Sequence, residues 1–388
     1  MVPIRYNFRS LVVRKVTTIA TAIGIGVAVL VLTGSMMLSA GLTKTLTSGG
    51  SDDIAIVLRK GSDNELSSTI EDAQVSLITG QVGVKQANGK PLFAAEVIVV
   101  AAMEKIGAPG VTNMTIRGVG DDVLAFRPTV KLVAGRQPKP GSDEAMVGVR
   151  IRGRFRGTEL GQKFDLKKNR PVTVVGVFED NGSSYESEVW VDIDTLRTSF
   201  GREGMRSSVR VKLDSKDRLD AFQLAVEQDK RLGLMVMRET KYFEKLSENT
   251  GIFITALGIV ITVFLAAGAI IGATITMYAA VAHRRREIGI LRALGFSRFS
   301  LMFSFVVESM TLSFFGGLLG VAGALVLSTV KLSMMNFSSG SEIVMTFDPN
   351  PGIIVTGVVF SLILGFLGGF LPAVRASRVS PVVAMRGG

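Results

Sequence analysis

Four uninterrupted apolar stretches break the alternation of polar and apolar positions along the chain. They run from about Val16 to Met37, Ile252 to Tyr278, Leu301 to Val330 and Ile353 to Val374. A bilayer core of about 30 Å is crossed by about 20 apolar residues in a helix, so each stretch predicts a membrane span. The first exceeds the ~7–15 apolar residues of a signal peptide core and reads as a span as well. Only the third holds an acid, Glu308. Between the first two spans the texture changes. Short alternating runs predict strands at DIAIVL (53–58), AEVIVVA (95–101), VTVVGVF (172–178), EVWVDI (188–193) and VRVKL (209–213). A helical pattern comes next at 217–232, then another strand at LMVMRE. Strand, helix, strand near the end of this region suggests an α+β sandwich.

The expected fold class is therefore an α-helical membrane protein with four transmembrane helices and a large α+β extracytoplasmic domain. The expected order is an amphipathic segment (1–15), a first span (16–38), the outer domain (39–250) and a second span (251–279). A coupling segment (280–300), a third span (301–330), a short outer loop (331–351), a fourth span (352–374) and a tail (375–388) complete it.

Composition narrows the chemistry. The 388 residues hold no cysteine and a single histidine, His283, which excludes disulfides, thiolate metal sites and multi-histidine sites. A Ser-His or Cys-His nucleophile pair is thereby excluded from the outer region. The net charge of +11 has a location. Residues 41–250 are nearly balanced, with 31 basic and 29 acidic residues. The excess lies in Arg5, Arg9, Arg14 and Lys15, in Arg284, Arg285, Arg286, Arg292 and Arg298, and in Arg375, Arg378 and Arg386. Basic residues in short segments mark the cytoplasmic side, so both termini and the loop between the second and third spans are expected inside. The charge then reflects topology and anionic lipid, and no nucleic acid partner is expected.

The inner loop reads HRRREIGILRALGFSR. As a helix it places Ile288, Leu291 and Leu294 on one apolar stripe, with Gly295 as a natural stop. Such a segment reads either as a topogenic basic loop resting on lipid or as a helix that docks into a groove on a partner protein. Glu308 calls for a cationic partner at its depth, and Arg298 and Arg292 are the expected candidates. No G-x-x-x-x-G-K-[ST] occurs; the Gly89-Lys90 pair is followed by Pro91. Three Gly-x-x-x-Gly pairs, at Gly268/Gly272, Gly316/Gly320 and Gly365/Gly369, predict close helix packing. Trp190 and Tyr185 are expected in the core. The run RIRGRFRG (150–157) is expected as a solvated basic face.

RRREIGILRALGFSR resembles the cytoplasmic coupling segment of MacB/FtsX-type permeases, the type VII ABC transporters. The tail LPAVRASRVSPVVAMR, the span VVESMTLSFFGGLLGVAGAL with Glu308, and LVAGRQPKPGSDEAMVG followed by GQKFDL and VTVVGVF are similar to that family too. Val383 and Met385 stand where the family usually has an acid and a leucine. The resemblance implies a non-catalytic permease subunit in the cytoplasmic membrane. It implies a separate cytoplasmic ABC ATPase that binds ATP and Mg, with no cofactor in this chain, and a second permease copy. It implies that Arg285, Arg286, Glu287, Ile288, Leu291, Arg292 and Leu294 form the ATPase coupling element. A periplasmic adaptor or a lipoprotein carrier is a further implied partner. The work implied is efflux or lipid and lipoprotein release by mechanotransmission. The alternative is an FtsX-like transducer that regulates a cell-wall hydrolase or senses a compound.

Overall fold

The computed structural model describes residues 15–107, 109–336 and 340–379, so most of the amphipathic segment (1–15) and of the tail (375–388) lie outside the described residues. The chain divides into two compact units. One comprises residues 1–40, 252–330 and 347–388; the other comprises residues 41–251 and 331–346.

Four helices among the described residues are long and apolar enough to cross a membrane. They are α1 (Lys15–Thr47), α5 (Glu239–His283), α7 (Arg298–Leu327) and α8 (Pro351–Ser377). Their ends reflect local chemistry. Ser297 caps α7 by accepting from the Ser300 amide. Asn350 caps α8 ahead of Pro351, whose missing N–H is no loss in a first turn. Within the helical unit the glycine pairs separate by role. Gly316 and Gly320 of α7 meet Ala22 and Gly26 of α1, and Gly365 and Gly369 of α8 meet Ser313 and Ser309 of α7. Gly268 and Gly272 on α5 have no such neighbour among the described residues.

The second unit is built on one ten-stranded sheet. Its strands are β1 (Ile54–Arg59), β2 (Phe93–Glu104), β3 (Val111–Val119), β4 (Lys131–Gly135), β5 (Glu144–Gly148), β6 (Lys163–Lys167), β7 (Arg170–Glu179), β8 (Glu188–Asp192), β9 (Ser208–Lys212) and β10 (Leu234–Arg238). The order is β10-β1-β9-β2-β3-β8-β5-β7-β4, with β6 also on β7. The predicted strand, helix, strand ending is present as β9, the helix α4 (Leu219–Gln228) and β10 at one edge of this sheet. The long β2 pairs twice: Phe93–Glu96 with β9, and Val97–Glu104 with β3. It is shared by two lobes, each with its own apolar core.

The first core joins β1, β9 and β10 to helices α2 (Asp72–Thr79) and α4 (Leu219–Gln228) through Val57, Val209, Val211, Ile78, Phe222 and Val226. The second joins β3, β5, β7 and β8 to α3 (Ile193–Phe200) through Val97, Ile116, Val147, Val177, Val191 and Leu196. Side chains alternate along a strand, so both cores lie on one face of the sheet.

Strands β11 (Lys331–Met335) and β12 (Glu342–Thr346) pair antiparallel as the two arms of a hairpin, where the sequence reads a plain loop. It belongs to the sheet-bearing unit.

Candidate functional site

The face of the sheet opposite the two cores carries charge, yet it is buried. Strand alternation and register put Glu96, Arg117, Glu188 and Trp190, Ser208 and Arg210 on this face. Arg210 is fully buried, as is Glu239, the first residue of α5. Arg210 Nε donates to Glu239 at 2.8 Å, and its Nη1 donates to Glu65 and Glu96, each at 2.6 Å. Arg117 donates to Glu96 at 2.6 Å and grips both oxygens of Glu188, at 2.7 and 2.8 Å. Arg127, directly after a single-turn helix (Val123–Phe126), donates to Glu239 at 2.8 Å.

Three guanidiniums thus face four carboxylates. Tyr185 lies between two of the cations, with Arg117 and Arg127 at 4.9 and 4.5 Å from its ring centroid. Trp190 donates its indole N–H to Glu188 at 2.9 Å. The other Glu239 oxygen accepts the Ser51 backbone amide at 3.1 Å. The start of α5, the segment after α1 and strand β9 therefore meet on one carboxylate.

Burial pushes the Glu65 carboxyl up, but the Arg210 and Arg117 guanidiniums outweigh it and hold it at about 2. Glu96 is lowered for the same reason against the same burial. Burial pushes the Tyr185 phenol up. A carboxyl lowered by folding contributes stability above its ordinary value of 4.5, and that stability is lost as pH falls through about 2. Trp190 is the single tryptophan and a built-in probe of this face. Its emission is expected to stay constant from pH 7 to about 4 and to shift red only below about 3. A red shift between about pH 6 and 5 would contradict the pairing.

The second cluster lies in the helical unit. Helix α6 (Arg285–Ala293) is separated from α5 by one residue, Arg284. Its apolar stripe does not face outward. Ile288 is buried with Met277, Val281, Leu301, Phe305 and Ala373, and Leu291 packs against that cluster. Leu294 alone of the predicted stripe is exposed, at 72%, and Ile290, unassigned by the spacing, is 47% exposed. A three-position stripe marks one apolar side, and here the chain's own helices occupy it. Arg285, Arg286 and Glu287 lie on the exposed surface. Gly295 ends the segment with φ +92°, a conformation glycine adopts without strain.

Glu308 pairs with Arg284, at 3.0 and 3.3 Å, rather than with Arg298 or Arg292. Arg298 sits ten residues before Glu308 on the same helix, about 15 Å by helical rise. Arg292 turns back to cap its own segment, donating to the Phe296 carbonyl at 2.9 Å. Arg284 occupies the joint between α5 and α6, so the pair fixes the angle at which α6 leaves α5. Breaking a buried pair on one side costs about 3–5 kcal/mol. Glu308→Ala is expected to lower the melting temperature of the chain in detergent, and charge-exchanged Arg284→Glu with Glu308→Arg to recover much of it. Equal melting of the alanine variant and the parent would contradict the pairing.

The run 150–157 is solvated at Arg152 and Arg156, as expected, but its charges are paired. Arg150 pairs with Glu186, Arg152 with Glu159, Arg154 with Glu342 and Arg156 with Glu104. Trp190 and Tyr185 are fully buried.

The chain matches the MacB-like periplasmic core domain over residues 18–229 and the FtsX-like permease C-terminal over residues 259–381. It is 26% identical to an uncharacterized ABC transporter permease, YknZ of Bacillus subtilis strain 168, over 99% of this chain and 98% of that protein. It is 30% identical to the macrolide export ATP-binding/permease protein MacB of Burkholderia cenocepacia over 57% of this chain. That alignment spans 32% of the MacB protein, about a third of its length. Among solved structures, it is similar to the extracellular domain of YknZ from Gram-positive bacteria, with 20% identity and a TM-score of 0.36. That match covers 48% of this chain and 100% of the domain. It is also similar to the periplasmic region of MacB from Actinobacillus actinomycetemcomitans, with 14% identity, a TM-score of 0.38, and 50% and 92% coverage.

Proposed function

The chain belongs to the MacB/FtsX family of ABC transporter permeases, and on that premise we propose that it passes the work of a separate ATPase subunit to the far side of the membrane through its own helices. The observation that carries this reading is helix α5. It runs 45 residues from Glu239 to His283, about 67 Å at 1.5 Å per residue. One end is the carboxylate that Arg127 and Arg210 hold; the other leads through Arg284 into α6. A rod fastened at both ends transmits a push or a twist.

The sequence has no phosphate-cradling loop of the Walker type, so ATP and magnesium belong to the partner. Arg285, Arg286, Glu287, Ile290 and Leu294 offer that partner a mixed basic and apolar surface, while Ile288, Leu291 and Arg292 set the rigidity of the segment behind it. The basic segments support a cytoplasmic location for α6 and both termini and an outer one for the sheet-bearing unit. The membrane is the cytoplasmic one, the complex holds a second copy of this chain, and the work is efflux or lipid and lipoprotein release, aided by an adaptor or carrier.

The chain has no cysteine, so Glu287→Cys gives a single thiol. In sealed right-side-out vesicles it is expected to resist a membrane-impermeant maleimide and to react once the vesicles are opened. It is also expected to be protected when the cognate ATPase is bound. Labelling from outside would refute the orientation, and labelling unaffected by the ATPase would refute the docking surface.

A further inference from the structure

The two lobes of the outer unit are held at different places. The first lobe is tied to the start of α5 through Arg210 and Glu239, and Arg127 joins the same carboxylate beside Phe126, which packs with Ile54 of β1 and Ala94 of β2. The second lobe is tied to the hairpin β11–β12. Glu342 accepts from Lys105 Nζ at 3.0 Å and from Arg154 Nη2 at 2.7 Å. Thr115 donates to the Ser341 hydroxyl at 2.7 Å, and Asn113 donates to the Gly340 carbonyl at 3.0 Å. The Val344 amide donates to Ser187 Oγ at 3.2 Å, and Arg150 donates to the Val344 carbonyl. Ile343, Val344 and Met345 are buried. All these partners lie at the residue just after β2 (Lys105), on β3, or between β5 and β8, which is the second lobe.

The hairpin is the link between α7 and α8, joined to them by residues 328–330 and 347–350. Lobe meets lobe along β2, where Glu96 holds Arg210 from one side and Arg117 from the other. On the opposite face Asp72 of α2 holds Arg197 of α3.

We infer that the β11–β12 hairpin is a second tether, in which Glu342 fastens the second lobe to the α7–α8 pair while Glu239 fastens the first lobe to α5. Movement of α5 against the α7–α8 pair then reaches the outer unit as a bend about β2. Glu342 is a positioning residue: it sets where force enters the second lobe and touches no substrate. The inference rests on the mechanical reading of α5 and adds a second, separable point of attachment.

The test uses the full chain assembled with its cognate ATPase in lipid nanodiscs, read by hydrogen exchange without nucleotide and when trapped with ATP, magnesium and vanadate. In the parent, trapping is expected to change exchange in residues 93–119 by about threefold or more. Glu342→Lys places a third cation against Lys105 and Arg154. It is expected to abolish that change in β3 while vanadate trapping and the response of residues 239–251 persist. Two rescues discriminate a tether from a general folding role. Charge exchange with Lys105→Glu and Arg154→Glu is expected to restore the response. A disulfide between Thr115→Cys and Ser341→Cys in the Glu342→Lys background, closed by copper phenanthroline, is expected to restore it as well.

A parent-like response in Glu342→Lys overturns the inference, as does failure of the closed disulfide to restore it. A parent that shows no nucleotide response in either lobe overturns the mechanical reading itself, which keeps the two failures apart.

Discussion

An alanine at position 239 is expected to cut the outer unit loose from helix α5. Glu239 is the shared acceptor of Arg127, Arg210 and the Ser51 amide. Its removal leaves two buried guanidiniums short of a counter-charge. Deleting one side of a buried pair costs about 3–5 kcal/mol, a large share of the 5–15 kcal/mol that typically holds a domain together. For a unit of this size that is a fall on the order of 10 °C in the transition monitored by Trp190 emission. Glu239→Gln keeps an acceptor oxygen and is expected to fall by less, and Arg210→Ala to resemble the alanine variant. Melting of Glu239→Ala at the parent temperature would show that the carboxylate is not the fastening point.

The network explains why such a joint is ionic rather than greasy. An apolar contact between a helix end and a sheet can slip or rotate at little cost. Hydrogen-bonded charges in a dry site cannot, because each displaced charge loses its partners before it regains water. This holds the first turn of α5 at one place against the sheet.

The spans and the family were legible in the chain because 20-residue apolar runs and the RRREIGILRALGFSR segment have few other readings. The strands at Ile54, Phe93, Arg170, Glu188 and Ser208 were legible from alternation. The charged face was not. In SVRVK the alternation correctly separates Val209 and Val211 from Ser208 and Arg210, but alternation is silent on whether the polar side meets water. Here both sides are covered. The one hint was Glu188 beside Trp190, an acid next to the single large indole. β3 escaped because Asn113 and Arg117 dilute its apolar period, and Arg117 turns out to be buried. The hairpin escaped because a segment of 16 residues between two spans reads as a connection until its partners on another part of the chain are seen. The stripe on α6 misled for a related reason: periodicity locates an apolar face without naming what covers it. The same limit applied to Glu308, whose partner is set by the turn at Arg284 and not by nearness in sequence.

The largest functional effect is expected from two glycines inserted after Ser247, within α5. The insertion rotates the Glu239 end of the helix by about 200° relative to the His283 end, at 100° per residue, and each glycine weakens the helix by about 1 kcal/mol. Neither fastening point is altered: Glu239 keeps Arg127 and Arg210, and Arg284 keeps Glu308. The decisive measurement is hydrogen exchange of β2 and β9 in the assembled complex, with and without vanadate-trapped nucleotide, alongside its ATPase rate. A parent whose outer strands respond to nucleotide, and an insertion variant that hydrolyses ATP at a parent-like rate while those strands no longer respond, is the predicted result. An insertion variant whose outer strands still track the nucleotide state would contradict transmission along α5.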